Sequence, residues 1–127
     1  MRAGIVVAAL VAAAVTYSPA SQANVQQLAA NVCDYVQAND KGRLRKRLKE
    51  SRVKLRNVYP EIQCNGNSLL RFAMSNNADG VGVFVAKQIS KNALVAPEAD
   101  GQTVLDWAAA NGYGDGKIAS SIGARLN

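Results

Sequence analysis

Histidine is missing altogether from this chain. Its absence removes the commonest general base, the commonest metal ligand and the usual switch near neutral pH. A serine or cysteine nucleophile therefore lacks its ordinary partner. Cysteine occurs only twice, at Cys33 and Cys64, 31 residues apart. That is not a C-x-x-C redox motif, and two ligands do not make a zinc site. The sequence thus implies no metal and no cofactor. Its 9 carboxylates show no pairing at a spacing suited to acid–base work. Ser51-Arg52-Val53-Lys54 has S-x-x-K spacing, but it sits in a run of charge without a companion motif. No segment alternates as a strand should. These absences point away from an enzyme.

What is present starts with an apolar leader. Met1 and Arg2 are followed by an unbroken apolar run from Ala3 to Val15, then by a small, polar stretch from Thr16 to Ala23 in which Pro19 should break any helix. Ser21-Gln22-Ala23 places small residues at the −3 and −1 positions of a signal-peptidase site. The expectation is a cleaved signal peptide over 1–23 and one helical domain over 24–127. An uncleaved anchor is the alternative, but a spanning helix needs about 20 apolar residues and this run is shorter. The mature chain then has no membrane span. The short basic start and the Ala/Val-rich run look bacterial, which points to the periplasm.

Export bears on the cysteines. An even count in an oxidising compartment favours a Cys33–Cys64 disulfide over two buried thiols. Closing a loop of that length stabilises by roughly 3–4 kcal/mol on the chain-entropy account.

Apolar periodicity predicts helices throughout the mature part. Val25, Leu28, Ala29, Val32 and Val36 share one face over 25–38. Asn39-Asp40 is a break, with Asp40 as the next N-cap. A longer helix is expected over 41–59, striped by Leu44, Leu48, Leu55 and Tyr59 and stopped by Pro60. Asn65-Gly66 marks a turn. Ser68 caps a third helix, apolar nearly all round from Leu69 to Met74. A fourth, over 81–89, carries Val81, Val85 and Ile89, its first turn weakened by Gly80 and Gly82. The stretch 90–100 reads as a loop. Thr103 caps a fifth helix with Leu105 and Trp107, and a sixth runs over 117–126 with Ile118, Ile122 and Leu126 on one face.

Two stretches repeat. Gly66-Asn67-Ser68-Leu69-Leu70-Arg71-Phe72-Ala73 aligns with Gly101-Gln102-Thr103-Val104-Leu105-Asp106-Trp107-Ala108 as G-x-S/T-L/V-L-x-F/W-A. The glycine makes the tight turn, the hydroxyl caps the helix, and the alanine lets helices approach. On these residues the chain resembles divergent ankyrin repeats, with Asp100 to Ile122 and residues 65–89 as two copies and 25–59 as an N-terminal capping pair. The usual Thr-Pro-Leu-His stands here as Thr103-Val104-Leu105-Asp106. The resemblance implies an all-α fold of three stacked antiparallel helix pairs, a short solenoid fastened by one disulfide. Leu44-Arg45-Lys46-Arg47-Leu48-Lys49-Glu50, Cys64-Asn65-Gly66 and Phe72-Ala73, with Cys33, also resemble a group of small exported bacterial proteins of uncharacterised function.

The net charge of +6 is unevenly placed. Lys41, Arg43, Arg45, Lys46 and Arg47 begin a basic run that continues through Lys49, Arg52, Lys54 and Arg56, opposed only by Glu50. Beyond that run and Arg2, acidic residues outnumber basic ones. Three readings compete for the run: a solvated helix face, a dock for anionic lipid headgroups or lipopolysaccharide, and a nucleic-acid site. Export argues against the last, as does the lack of aromatics between Lys41 and Arg56. A short helical stack presents a surface rather than a pocket. The function expected first is therefore contact with an unidentified protein partner. The rival is binding of an anionic envelope lipid or polysaccharide through 41–56.

Overall fold

The computed structural model describes residues 19–127, with side-chain environments from position 25 onward. The expected leader lies outside the described residues as far as position 18. From Pro19 the backbone is already helical, so the first helix starts earlier than its apolar stripe suggests. The expectation that Pro19 breaks any helix is not met, since the backbone is helical from that residue on.

Eight α-helices follow in order among the described residues. They are α1 (Pro19–Gln37), α2 (Lys41–Ser51), α3 (Leu55–Val58), α4 (Leu69–Ser75), α5 (Asp79–Gln88), α6 (Lys91–Val95), α7 (Val104–Ala110) and α8 (Lys117–Leu126). No strand occurs among these residues. The nearest thing is a single bridge between Cys64 and Asn67, closed over Asn65 and Gly66, both at positive φ. The fold is all-α.

α1 packs on α2, α4 on α5, and α7 on α8. The first members stack on one another in the order α1, α4, α7, and the second members in the order α2, α5, α8. Three helix pairs therefore lie side by side in two layers. Each pair is closed by the same turn. Asn39, Asn77 and Gly112 take left-handed φ values of 54°, 54° and 86°. The next residue donates its N–H five positions back: Asp40 to Tyr35, Ala78 to Ala73 and Tyr113 to Ala108, each at 2.8 Å. This is the Schellman arrangement, which satisfies carbonyls left over at a helix end. Asparagine and glycine are the residues that reach this φ at least cost.

The caps and turns of the repeat seen in the sequence recur in the second and third pairs. Ser68 and Thr103 accept hydrogen bonds from the N–H groups of Arg71 and Asp106. Asn76 and Asn111 each donate a side-chain N–H to the carbonyl four residues back, at 2.8 Å. Gly66 and Gly101 share φ values of 80° and 83°.

Most of the expected core is buried: Leu28, Val32, Val36, Leu44, Leu48, Leu55, Tyr59, Val81, Val85, Ile118 and Ile122. Val25 is not, being 39% exposed. The helix expected over 41–59 is broken. Arg52 takes φ 55° and its N–H reaches the carbonyls of Leu48 and Lys49, while Val53 donates to Leu48. α2 thus ends in a Schellman turn of its own, on a residue with no special taste for that φ. Leu55 and Tyr59 still reach the core, from α3 and a 3₁₀ turn over Tyr59–Glu61. The stretch read as loop at 90–100 contains α6, capped by Ser90.

α5 is held by its neighbours. Asn39 of the first turn accepts the Val81 N–H at 3.0 Å, capping a helix 42 residues downstream. At the other end Arg125 of α8 donates to the carbonyls of Ala86 and Ile89. Gly80 and Gly82 both lie inside the helix. At Gly82 a β-carbon would run into the buried Ile118 side chain and come within 3.2 Å of Ala73 Cβ. The glycine is what lets α8 and α4 close on α5.

Cys33 of α1 is bonded to Cys64, with Cα atoms 5.6 Å apart. The bridge ties the first pair to the turn that opens the second.

Two expectations follow. Gly82→Ala and Ala108→Leu should each destabilise by about 1–3 kcal/mol through overpacking, read as a lower Tm; unchanged melting would contradict the packing described. Asn39→Gly keeps the left-handed turn and removes only the cap on α5. It should cost about 1 kcal/mol in denaturant unfolding, the net worth of one hydrogen bond, and a neutral effect would mean the cap carries no weight.

Candidate anion-binding groove

The break at Arg52 turns a basic helix face into a groove. Arg45, Leu48 and Lys49 share one face of α2 by their spacing. Beyond the Schellman turn, Lys54 precedes α3 and Arg56 lies within it. α5 packs against both α2 and α3 and brings Phe84, Lys87 and Gln88, again at positions i, i+3 and i+4. The space between them is an open groove of about 1110 Å³.

Six cations line it: Arg45, Lys46, Lys49, Lys54, Arg56 and Lys87. No carboxylate is among the lining residues. The apolar lining is Leu48, Val53, Leu55 and Phe84, of which Val53 and Phe84 are half-buried. No lining residue carries a compensating charge. The arrangement is complementary to an anion.

The structure thus gathers five of the nine basic residues of the 41–56 run. The other four stand elsewhere. Arg43 folds back on Asp40 at 3.4 Å, an exposed pair of small energetic weight. Arg47 lines a smaller notch with Val25, Leu28 and Glu50. Lys41 opens α2 and Arg52 closes it. Lys87 and Phe84 were missed by reading the basic run alone. Their signal was present in the fourth helix as a cation three residues after an aromatic that stands off the Val81–Val85 face.

A second cluster was also missed. Arg71, on the otherwise apolar α4, has a side chain only 7% exposed. It makes a two-pronged contact with Asp100, at 2.7 and 2.9 Å, and donates to the Gln102 carbonyl at 3.1 Å. Its Nε lies 2.7 Å from Glu98, an ion contact outside hydrogen-bond geometry. The guanidinium also sits over the Trp107 ring at 5.2 Å, and Tyr113 stacks nearly parallel to that ring. The hydrogen bond to Asp100 holds Arg71 above its already high range, and the Arg71 contact holds Asp100 down at about 2. Burial pushes the neighbouring Tyr59 phenol up to about 12. Through these contacts Arg71 fastens the loop before α7 onto α4. A cleft of about 670 Å³ borders this cluster.

Fold and site together define a small all-α, disulfide-bonded protein of stacked helix pairs with a cationic groove. The sequence model of one family, described as "Protein of unknown function (DUF3718)", matches residues 32–96, just over half of the chain, and the chain belongs to that family. The matched stretch contains both cysteines and every residue lining the groove, whereas Glu98, Asp100 and Trp107 lie beyond it. No curated protein and no solved structure matches the chain.

The Arg71–Asp100 contact has a pH signature. The Asp100 carboxyl lies below its ordinary 3.8 when folded. The contact therefore adds stability in full above about pH 4, and this is lost as pH falls towards 2. Tm should drop across that window. Asp100→Asn should melt lower at neutral pH and lose that part of the acid dependence; an unchanged acid profile would show the contact to be energetically idle.

Proposed function

We propose that this protein is a non-enzymatic exported binding protein whose groove holds an anionic component of the cell envelope, a lipid headgroup or lipopolysaccharide. The observation that carries the reading is the set of six cations, drawn from α2, α3, α5 and the link at Lys54, around a groove free of lining carboxylates. The leader pattern over 1–23 and the Cys33–Cys64 bridge support an exported, oxidising setting, the periplasm. Among the described residues no helix is long and apolar enough to cross a membrane. The reading in which an apolar face grips a protein partner has less support, because Val25 and Val95 are the exposed large hydrophobics among those residues. Kinship with ankyrin repeats is part of the proposal too. It is supported by the shared caps and turns of the two later pairs and their stacking in two layers.

The test is co-sedimentation of the oxidised protein with vesicles of phosphatidylglycerol and phosphatidylcholine, against phosphatidylcholine alone, at low and high salt. Binding should need the anionic lipid and fall steeply as salt rises. Near an anionic surface each cation contributes about 1 kcal/mol. Lys49→Gln and Lys87→Gln should therefore each weaken binding about fivefold. Binding indifferent to lipid charge, or to both substitutions, would refute the proposal.

A further inference from the structure

The groove is not only charged. Its cations stand along its walls, and Phe84 and Val53 lie half-exposed among them with the edges of Leu48 and Leu55. Each helical wall carries an apolar residue and a lysine, at different spacings. On α2 Leu48 is next to Lys49, and on α5 Phe84 lies one turn before Lys87. The methylene stems of the lysines and arginines extend the apolar lining upward towards their charged tips. A polyanion without hydrocarbon would satisfy the tips and leave the floor in contact with water. A flat layer of headgroups would meet the rims of a concave site and not its floor. A molecule with an anionic head and an apolar tail satisfies both, head against the cations and tail over Phe84 and Val53.

We infer that the groove seats single molecules of a phosphorylated lipid, the phosphate among Lys49, Lys54, Arg56 and Lys87 and the first part of the acyl chain against Phe84 and Val53. The inference rests on the anion-binding reading above and specifies its ligand. Phosphate suits the site because its oxygens accept several N–H bonds at once from cations placed around it. The tail contributes by removing the ring of Phe84 from water.

The experiment titrates the oxidised protein by calorimetry with three soluble probes: dihexanoyl phosphatidic acid below its micelle concentration, dihexanoyl phosphatidylcholine, and inorganic tripolyphosphate. The phosphatidic acid should bind on the order of tenfold more tightly than tripolyphosphate despite its smaller charge, since it alone uses the floor. The phosphatidylcholine should bind weakly or not at all. Phe84→Ser should abolish the advantage of the lipid, bringing its affinity down to that of tripolyphosphate for the same variant. Val53→Thr is a milder second variant, to be used if Phe84→Ser does not fold, and should reduce the same advantage. Equal affinity for phosphatidic acid and tripolyphosphate, with no effect of the folded variant, overturns this inference while leaving the anion-binding reading intact. Binding of neither anion at low salt overturns both.

Discussion

The architecture hangs on the approach of α8 and α4 to α5 at Gly82. Two glycines inside one helix cost about 1 kcal/mol each in helix propensity. α5 recovers this by lying in the middle of the stack, against its own partner α4, the basic helix α2, the short α3 and the last helix α8. Its ends are tied to the units on either side, by Asn39 at the N-terminus and Arg125 at the C-terminus. Any side chain at position 82 would displace Ile118. The same helix carries Phe84 and Lys87 to the groove. The packing and the groove therefore share one constraint.

Charge is organised around that frame in two ways. Arg71 is buried and paired with Asp100, Glu98 and the Gln102 carbonyl, so its charge joins one helix pair to the loop leading to the next. A lone buried guanidinium would be costly, and the two carboxylates and the carbonyl around it offset that cost. The groove cations have no such partners among its lining residues. That contrast is the ground for the proposal above, in which Arg71 serves cohesion and the groove cations serve recognition. A single difference in backbone makes the second possible. Had α2 run straight to Tyr59, its cations would have formed an open stripe. The left-handed residue at Arg52 bends the run into two walls and lets α5 supply the rest.

What could be read in the sequence was what depends on neighbours along the chain. Ser68, Thr103 and Asp40 cap helices where the hydroxyls and carboxylate said they would, because a cap is a contact across three residues. The stripe of Leu44, Leu48, Leu55 and Tyr59 reached the core even though the helix beneath it broke, since burial follows from the residues more than from the continuity of the helix. The cysteine pairing was legible because only one pair exists. The rest depended on distant contacts. Nothing local distinguishes Arg52 as a left-handed cap. Nothing marks Asn39 as the cap of a helix 42 residues away. α6 is too short for periodicity to register. Arg71 looked like a variable position in the repeat, and its partners lie 27 to 31 residues further on. Half of the groove was visible as a basic run, and its opposite wall was hidden in a helix read as core.

The most direct test of the central claim is amide-shift mapping of the oxidised protein by NMR as an anionic short-chain lipid is added at low salt. If the groove is the site, the shifts concentrate in residues 42–56 and 84–88 and disappear in high salt. Shifts centred on Tyr59, Arg71 and Trp107, or spread over the surface without focus, would contradict the account.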